Sequence, residues 1–351
     1  MLSVWVLNVG QGDSIVVRFP DGSWGVVDSN VPPNGQEPPA LTLLQKNGAE
    51  RLAFVCLTHP HADHYSGLAR ILQSYEGRVD EFWMFSVDTS HVRQFLNYQH
   101  RTNATTGRGQ RRYAELQTVF EIFWKMDKAG FAHRLVGGLR LPPLGGVDID
   151  CLAPLSKDIN EYQAQLVRHA DSGGYLVDEN LLSAVLRLRF VGSTILLSSD
   201  APTKAWPMMW KESKKRGESF AADAVKVSHH GSRQGHHEGI WRKILSDRPT
   251  HAAISAGVGH GHPEYAVLKS LFDLGVRLHC TNFPEHCSKS KPTDMSKFDG
   301  LPSGVRMRLF MLDQSENPPL SPCNGDIRFD LNPDGTCNVA HQFEGFCPMH
   351  L

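Results

Sequence analysis

The segment THPHADH places His59, His61, Asp63 and His64 within six residues, directly after the apolar run AFVCLT. Imidazole nitrogens and carboxylate oxygens suit Zn, and also Mn or Fe, and the lack of a cysteine in the cluster argues against a thiolate site. Side chains two apart at the end of a strand project to one side. His59 and His61 are therefore expected to face together, with Asp63 and His64 following at the turn into a helix. A solvated His-rich loop is the bland alternative, and the density of donors after an apolar strand speaks against it.

Three later segments repeat this layout, with polar residues at the end of an apolar run. STILLSSD ends in Asp200, DAVKVSHHGS in His229 and His230, and HAAISAGVGHGHPE leads to His262. Ligands of one site are commonly gathered from strand ends in this way. A carboxylate such as Asp200 can bridge two cations about 3.5–4 Å apart, an arrangement suited to hydrolysis. Because Pro202 follows, Asp200 also fits a helix N-cap.

The elements that must position these residues alternate. Short β-like runs (SVWVLNV, SIVVRF, SWGVVDS, AFVCLT) lead into the loaded loop, and the helical spacing of LARILQSY follows it. From about 88 to 131 two helical segments interrupt the pattern and read as an insertion covering one face. A second half then alternates strands and helices to about residue 290, and the tail 291–351 still contains the β-like runs MRLFML, DIRFDL and NVAHQF. The expectation is an α/β protein, a four-layer αββα sandwich over residues 1–290, with a β-rich C-terminal extension (291–351) packed on its core.

THPHADH resembles the HxHxDH signature of the metallo-β-lactamase superfamily. LNVGQGDS, VVDSN, LLSSDA, VKVSHHGS and ISAGVGHGHPE are similar, in order and spacing, to the hydrolase domain of ComEC-type DNA-uptake competence proteins, over roughly residues 1–75 and 180–285. The resemblance implies an αββα sandwich, two divalent cations (Zn or Mn first), and cleavage of a phosphodiester, with nucleic acid as the leading substrate. It implies that His59 and His61 hold one metal, Asp63 and His64 the other, and that Asp200 bridges. His229 is the implied late histidine ligand and His230 the substrate-facing neighbour, although the two can exchange roles. His262 is the implied donor at the leaving group, so the expected catalytic set is Asp63, His230 and His262. Asp28 is expected to orient a ligating histidine from behind.

In the expected mechanism the paired metals lower the pKa of a bridging water to about 7, and the resulting hydroxide attacks phosphorus. The third histidine that many superfamily members supply to the first metal is missing from VDENLLSAVLRL, leaving His169 and Asn180 as possible substitutes. The membrane channel segments of the competence proteins are also missing, so DNA import does not follow. Hydrolysis of a carboxylic ester, lactone or amide on the same site is the nearest rival, and a non-catalytic metal-binding or regulatory module is a rival of another class.

Composition sets the remaining bounds. With 36 basic and 37 acidic residues among 351, the chain offers no global field to attract nucleic acid or an anionic membrane. The basic clusters at 108–112 and 211–217 are read as solvated faces first and phosphate contacts second. GQGDS, without a lysine and a following helix, reads as a tight hairpin and not a phosphate loop. Seven scattered cysteines do not form a disulfide framework, and a zinc site from Cys280, Cys287, Cys323, Cys337 and Cys347 with His279 and His286 has no CxxC pair behind it. No signal-like start and no run of about 18 apolar residues is present, so a cytoplasmic protein without membrane insertion is expected.

Overall fold

The computed structural model describes residues 1–32, 37–87, 89–103, 106–172, 176–257, 261–282 and 325–341. The first sheet takes β1 (Leu2–Val6), β2 (Ile15–Arg18), β3 (Trp24–Val27), β4 (Leu52–Leu57), β5 (Val79–Phe85) and β6 (Ala132–Leu135) in chain order. The second takes β7 (Arg140–Leu144), β8 (Val147–Ala153), β9 (Val185–Phe190), β10 (Ser193–Leu197), β11 (Ala224–Lys226), β12 (His251–Ile254) and β13 (Arg277–Cys280). The tail returns to the first sheet: β14 (Ile327–Leu331) pairs antiparallel with β1, Val4 opposite Phe329, and β15 (Cys337–His341) pairs with β14. DIRFDL and NVAHQF are these strands, whereas MRLFML, the boundary at 290/291, and Cys287, Cys323, Cys347 and His286 lie outside the described residues.

Both halves begin antiparallel and end parallel, with β3, β4, β5 and β6 parallel in one sheet and β10, β11, β12 and β13 in the other. Strands flanked on both faces read as unbroken apolar runs, and β4, LAFVCL, is buried along its whole length. Alternation on the outer strands sorts side chains between layers. Leu2, Val4 and Val6 face the second sheet, where Leu186, Leu188, Ile195 and Leu197 meet them.

Helices close both outer faces. α1 (Pro39–Lys46), α2 (Ala62–Tyr65), α3 (Leu68–Ser74), α4 (Val92–Asn103), α5 (Gly107–Lys128) and α6 (Ser156–Ser172) are followed by α7 (Ala205–Lys215), α8 (Glu238–Ile244) and α9 (Tyr265–Asp273). The outer face of the first sheet carries Leu44, Leu68, Phe95, Phe120 and Tyr162, and that of the second Trp206, Met209, Trp241 and Leu268. Three apolar layers separate four structural ones, the αββα sandwich expected. The segment read as an insertion is the crossover between parallel β5 and β6, and its Phe95, Leu116, Phe120 and Phe123 belong to the core. Among the described residues no helix is long and apolar enough to cross a membrane.

Candidate metal centre

The strands that run parallel end at a common edge, and the chemistry-bearing residues lie just beyond their carboxyl ends, where open α/β sheets bind ligands. β4 delivers His59 and His61, with His59 Nε2 3.0 Å from His61 Nδ1. The single turn of α2 carries Asp63 and His64. Asp28, just past β3, is wholly buried: its Oδ1 accepts from the Thr58 amide (2.8 Å), and its Oδ2 accepts from the Thr58 hydroxyl (2.6 Å) and lies 2.7 Å from His64 Nδ1. The carboxylate therefore turns His64 Nε2 toward the centre of the site, as outer carboxylates do for ligating histidines.

The second sheet supplies the other wall. Asp200, past β10, has Oδ1 3.5 Å from His64 Nε2, and its Oδ2 lies 3.9 Å from His59 Nε2 and 3.6 Å from His230 Nε2. It does not cap α7, whose N-cap position is Lys204. His230 Nε2 is also 3.5 Å from Asp63 Oδ2. His229 stands farther out, Nε2 3.9 Å from Asp200 Oδ2, with its ring centroid 5.9 Å from that of His262. Asp28, His59, His61, Asp63, His64, Asp200, His229, His230 and His262 thus gather here, but His230, not His229, sits buried among Asp63, His64 and Asp200. His169 packs edge-on against Tyr98 and joins none of the ligand-type clusters found among the described residues. The Asn180 amide oxygen is buried without a hydrogen-bond partner.

Two residues not nominated complete the floor. The loop joining β1 to β2 spans residues 7–14, longer than the tight hairpin expected, and it buries Asp13. Asp13 Oδ2 is in direct contact with Lys226 Nζ, its Oδ1 accepts from Ser255 Oγ at 2.9 Å, and Oδ1 lies 3.7 Å from His230 Nδ1. Lys226 Nζ is also 3.8 Å from Asp200 Oδ1, with no exposed surface. Gly12 makes the loop's approach feasible: at φ +122° a Cβ there would lie 2.4 Å from Asn30 Nδ2 and 2.5 Å from the Asp63 carbonyl oxygen.

Charge explains the protonation pattern. Burial tends to neutralise Asp200 and Asp63, yet His230 and His64 outweigh it and hold both carboxyls well below the usual range. Burial likewise disfavours a cationic His230, but Asp200 and Asp63 push the ring up to about 9, and Asp200 and Asp28 raise His64 well above its ordinary value. His59 is driven down, by burial first and by His64 and His61 next. Four carboxylates (Asp13, Asp28, Asp63, Asp200) face one fixed ammonium among the described residues, Lys226.

The donor set fits divalent cations. His64 Nε2, Asp200 Oδ1 and both ring nitrogens of His230 are buried without hydrogen-bond partners, a state that normally costs about 1–3 kcal/mol per group. Two triads, His59–His64–Asp200 and Asp63–His64–His230, keep their donor atoms within 4.8 Å of one another. Backbone strain concentrates here as well. Asp28, Ser199, His229 and His230 all take positive φ, which costs non-glycine residues about 1–3 kcal/mol each.

No curated protein matches the chain. Among solved structures it is similar to a mutant of CmlA beta-hydroxylase (16% identity, TM-score 0.44), covering 78% of this chain and 52% of that one, so that it spans about half of that protein. It is also similar to Zn-bound PqqB from Methylobacterium extorquens (13% identity, TM-score 0.42, 79% and 97% covered). Human tRNase Z, short form, is matched at 12% identity and TM-score 0.39, with 73% and 92% covered. Residues 7–80, which carry His59, His61, Asp63 and His64, match the family model described as Metallo-beta-lactamase superfamily.

Proposed function

We propose that the protein is a metal-dependent phosphodiesterase, acting on nucleic acid or another phosphodiester through a binuclear site. The observation that carries the metal assignment is the position of Asp200, whose two oxygens face His64 on one side and His59 and His230 on the other. In this reading His59, His61 and Asp200 hold one cation, Asp63, His64, Asp200 and His230 the second, and Zn or Mn suits the nitrogen and oxygen donors. Bound there, the cations would supply Lewis acidity toward water and toward the charge that develops on the substrate.

The chain's own groups do the rest. Asp28 fixes His64, Lys226 balances Asp13 and Asp200, and the buried floor excludes bulk water. His229 and His262, at the rim, are placed to meet substrate, and an imidazole there can give a proton to the departing alcohol. The choice of phosphorus over carbon rests on the likeness of LNVGQGDS, LLSSDA and VKVSHHGS to the ComEC-type hydrolase domain.

The test is metal content of the purified protein, joined to hydrolysis of bis-p-nitrophenyl phosphate, labelled DNA and a lactone with Mn or Zn added. About two metals and metal-dependent phosphodiester cleavage are expected. Lactone hydrolysis alone would replace phosphodiester with carboxylic ester as the substrate, and a metal-free, inactive protein would reduce the site to a binding module.

A further inference from the structure

We infer that Glu179 is the positioning residue for His61, and that the β5–β6 crossover, through Gln99, holds it in place. This rests on the metal-site reading above. His61 is the least enclosed of the proposed ligands on the first sheet's histidine loop: a third of its side chain is exposed, whereas His59 and His64 have none exposed. An imidazole in that position needs an outside partner to fix its rotation and its tautomer.

Glu179 supplies one. Its Oε2 lies 3.1 Å from His61 Nε2, the nitrogen opposite to the Nδ1 that faces His59. Donation of the Nε2 proton to the carboxylate leaves the Nδ1 lone pair directed at the first cation's place. The other oxygen, Oε1, accepts from Gln99 Nε2, and Gln99 is buried on α4. The single 3-10 turn that carries Glu179, Glu179–Leu182, is itself fastened at both ends. Asp178 Oδ1 accepts from the Asn180 amide at 3.2 Å, and the Ala184 amide donates to the Thr58 carbonyl, on the loop that bears His59, at 3.1 Å. The stretch VDENLLSAVLRL, which lacks a third histidine, thus reaches the first cation's site from behind a ligand. His61 is related to Glu179 as His64 is to Asp28, one outer carboxylate for each half of the site.

The experiment is titration of the metal-free full-length protein with Co(II), followed by stoichiometry from native mass spectrometry and by the visible d–d spectrum, with thermal melting as the control for folding. Wild type should take two equivalents. Glu179→Ala should weaken one of the two about 10–100-fold and leave the other unchanged. Glu179→Gln, whose amide oxygen still accepts from His61 and whose amide nitrogen meets Gln99 once that side chain flips, should keep both within about threefold, where the Ala loss is tenfold or more. Two equivalents of wild-type affinity in a folded Glu179→Ala would overturn the inference, and so would a Glu179→Gln protein as deficient as Glu179→Ala, which would make Glu179 a ligand. A wild-type protein that takes up no Co(II) would remove the metal-site reading itself.

Discussion

His64 and Asp28 lie 2.7 Å apart, fully buried, at the meeting of the loops after β3 and β4. The contact settles which nitrogen of His64 is turned inward. Asp28→Asn should therefore weaken the cation held by Asp63, His64 and His230 by about 10–100-fold while sparing the His59 and His61 side. Competition with a chromophoric chelator would read this directly, and equal loss at both positions would contradict it.

The neighbouring histidines should separate cleanly. His230→Ala should lose metal and activity together, because His230 is buried among Asp63, Asp200 and His64. His229→Ala should retain metal and lose about 100- to 10,000-fold in kcat, the usual scale for a proton-transferring side chain. Metal counts and turnover measured on the two proteins side by side decide the matter, and the reverse pattern would return His229 to the ligand set.

Removing Lys226 strands a charge. Its ammonium touches Asp13 and lies 3.8 Å from Asp200, all three within the floor of the site. Lys226→Met should cost about 3–5 kcal/mol in the metal-free protein, since one partner of a buried pair is left uncompensated. Urea denaturation should show the loss, and adding Asp13→Asn should recover part of it.

Acid stability should depend on Glu218. Its carboxylate lies 2.6 Å from the guanidinium of Arg187, itself buried, which also holds Asp150 at 2.8 Å. Burial works against ionisation, but Arg187 and Arg216 prevail and draw Glu218 down to about 2. A group depressed in the folded state lends its stability above the unfolded value of 4.5 and withdraws it as pH falls toward 2. The wild type should lose on the order of 1–3 kcal/mol more than Glu218→Gln over that interval, as read from denaturation midpoints at stepped pH.

Gly12 should tolerate no side chain. With Asn30 and the Asp63 carbonyl in the way, Gly12→Ala would push the β1–β2 loop off the turn that carries Asp63. The expected result is activity lowered about tenfold or more with a stability cost of about 1–3 kcal/mol. Near-wild-type turnover in that variant would mean that the loop's grip on Asp63 is irrelevant to function.

Much of this was legible in the sequence because it is local. Four donors in six residues announce the histidine loop, and apolar runs ending in Asp200 or in the His229–His230 pair mark strand ends. The layered fold follows from the alternation of β-like and helical spacing. Asp13 was hidden because its glycine-flanked loop reads as an ordinary turn. Lys226 and Glu179 were hidden because their partners are remote in the chain, and no spacing rule links Lys226 to Asp13 or Glu179 to His61. A lysine inside an apolar strand, three residues before the first of two histidines, was the one available signal. The deeper burial of His230 than of His229 goes with two successive residues of positive φ, which residue types alone do not reveal.

The donors come from opposite sheets: His59, His61, Asp63 and His64 from one, Asp200 and His230 from the other, with the Thr58 and Ser199 hydroxyls 2.6 Å apart between them. Cations seated there would act as rivets along one edge of a clamshell whose opposite edge is joined at the turn after β14, where the Gly335 carbonyl accepts from Ser193 Oγ at 2.8 Å and from Arg248. Chelation would then slacken the open edge first, leaving each sheet intact, so that loss of metal would be felt as a widening of the mouth before any strand came undone.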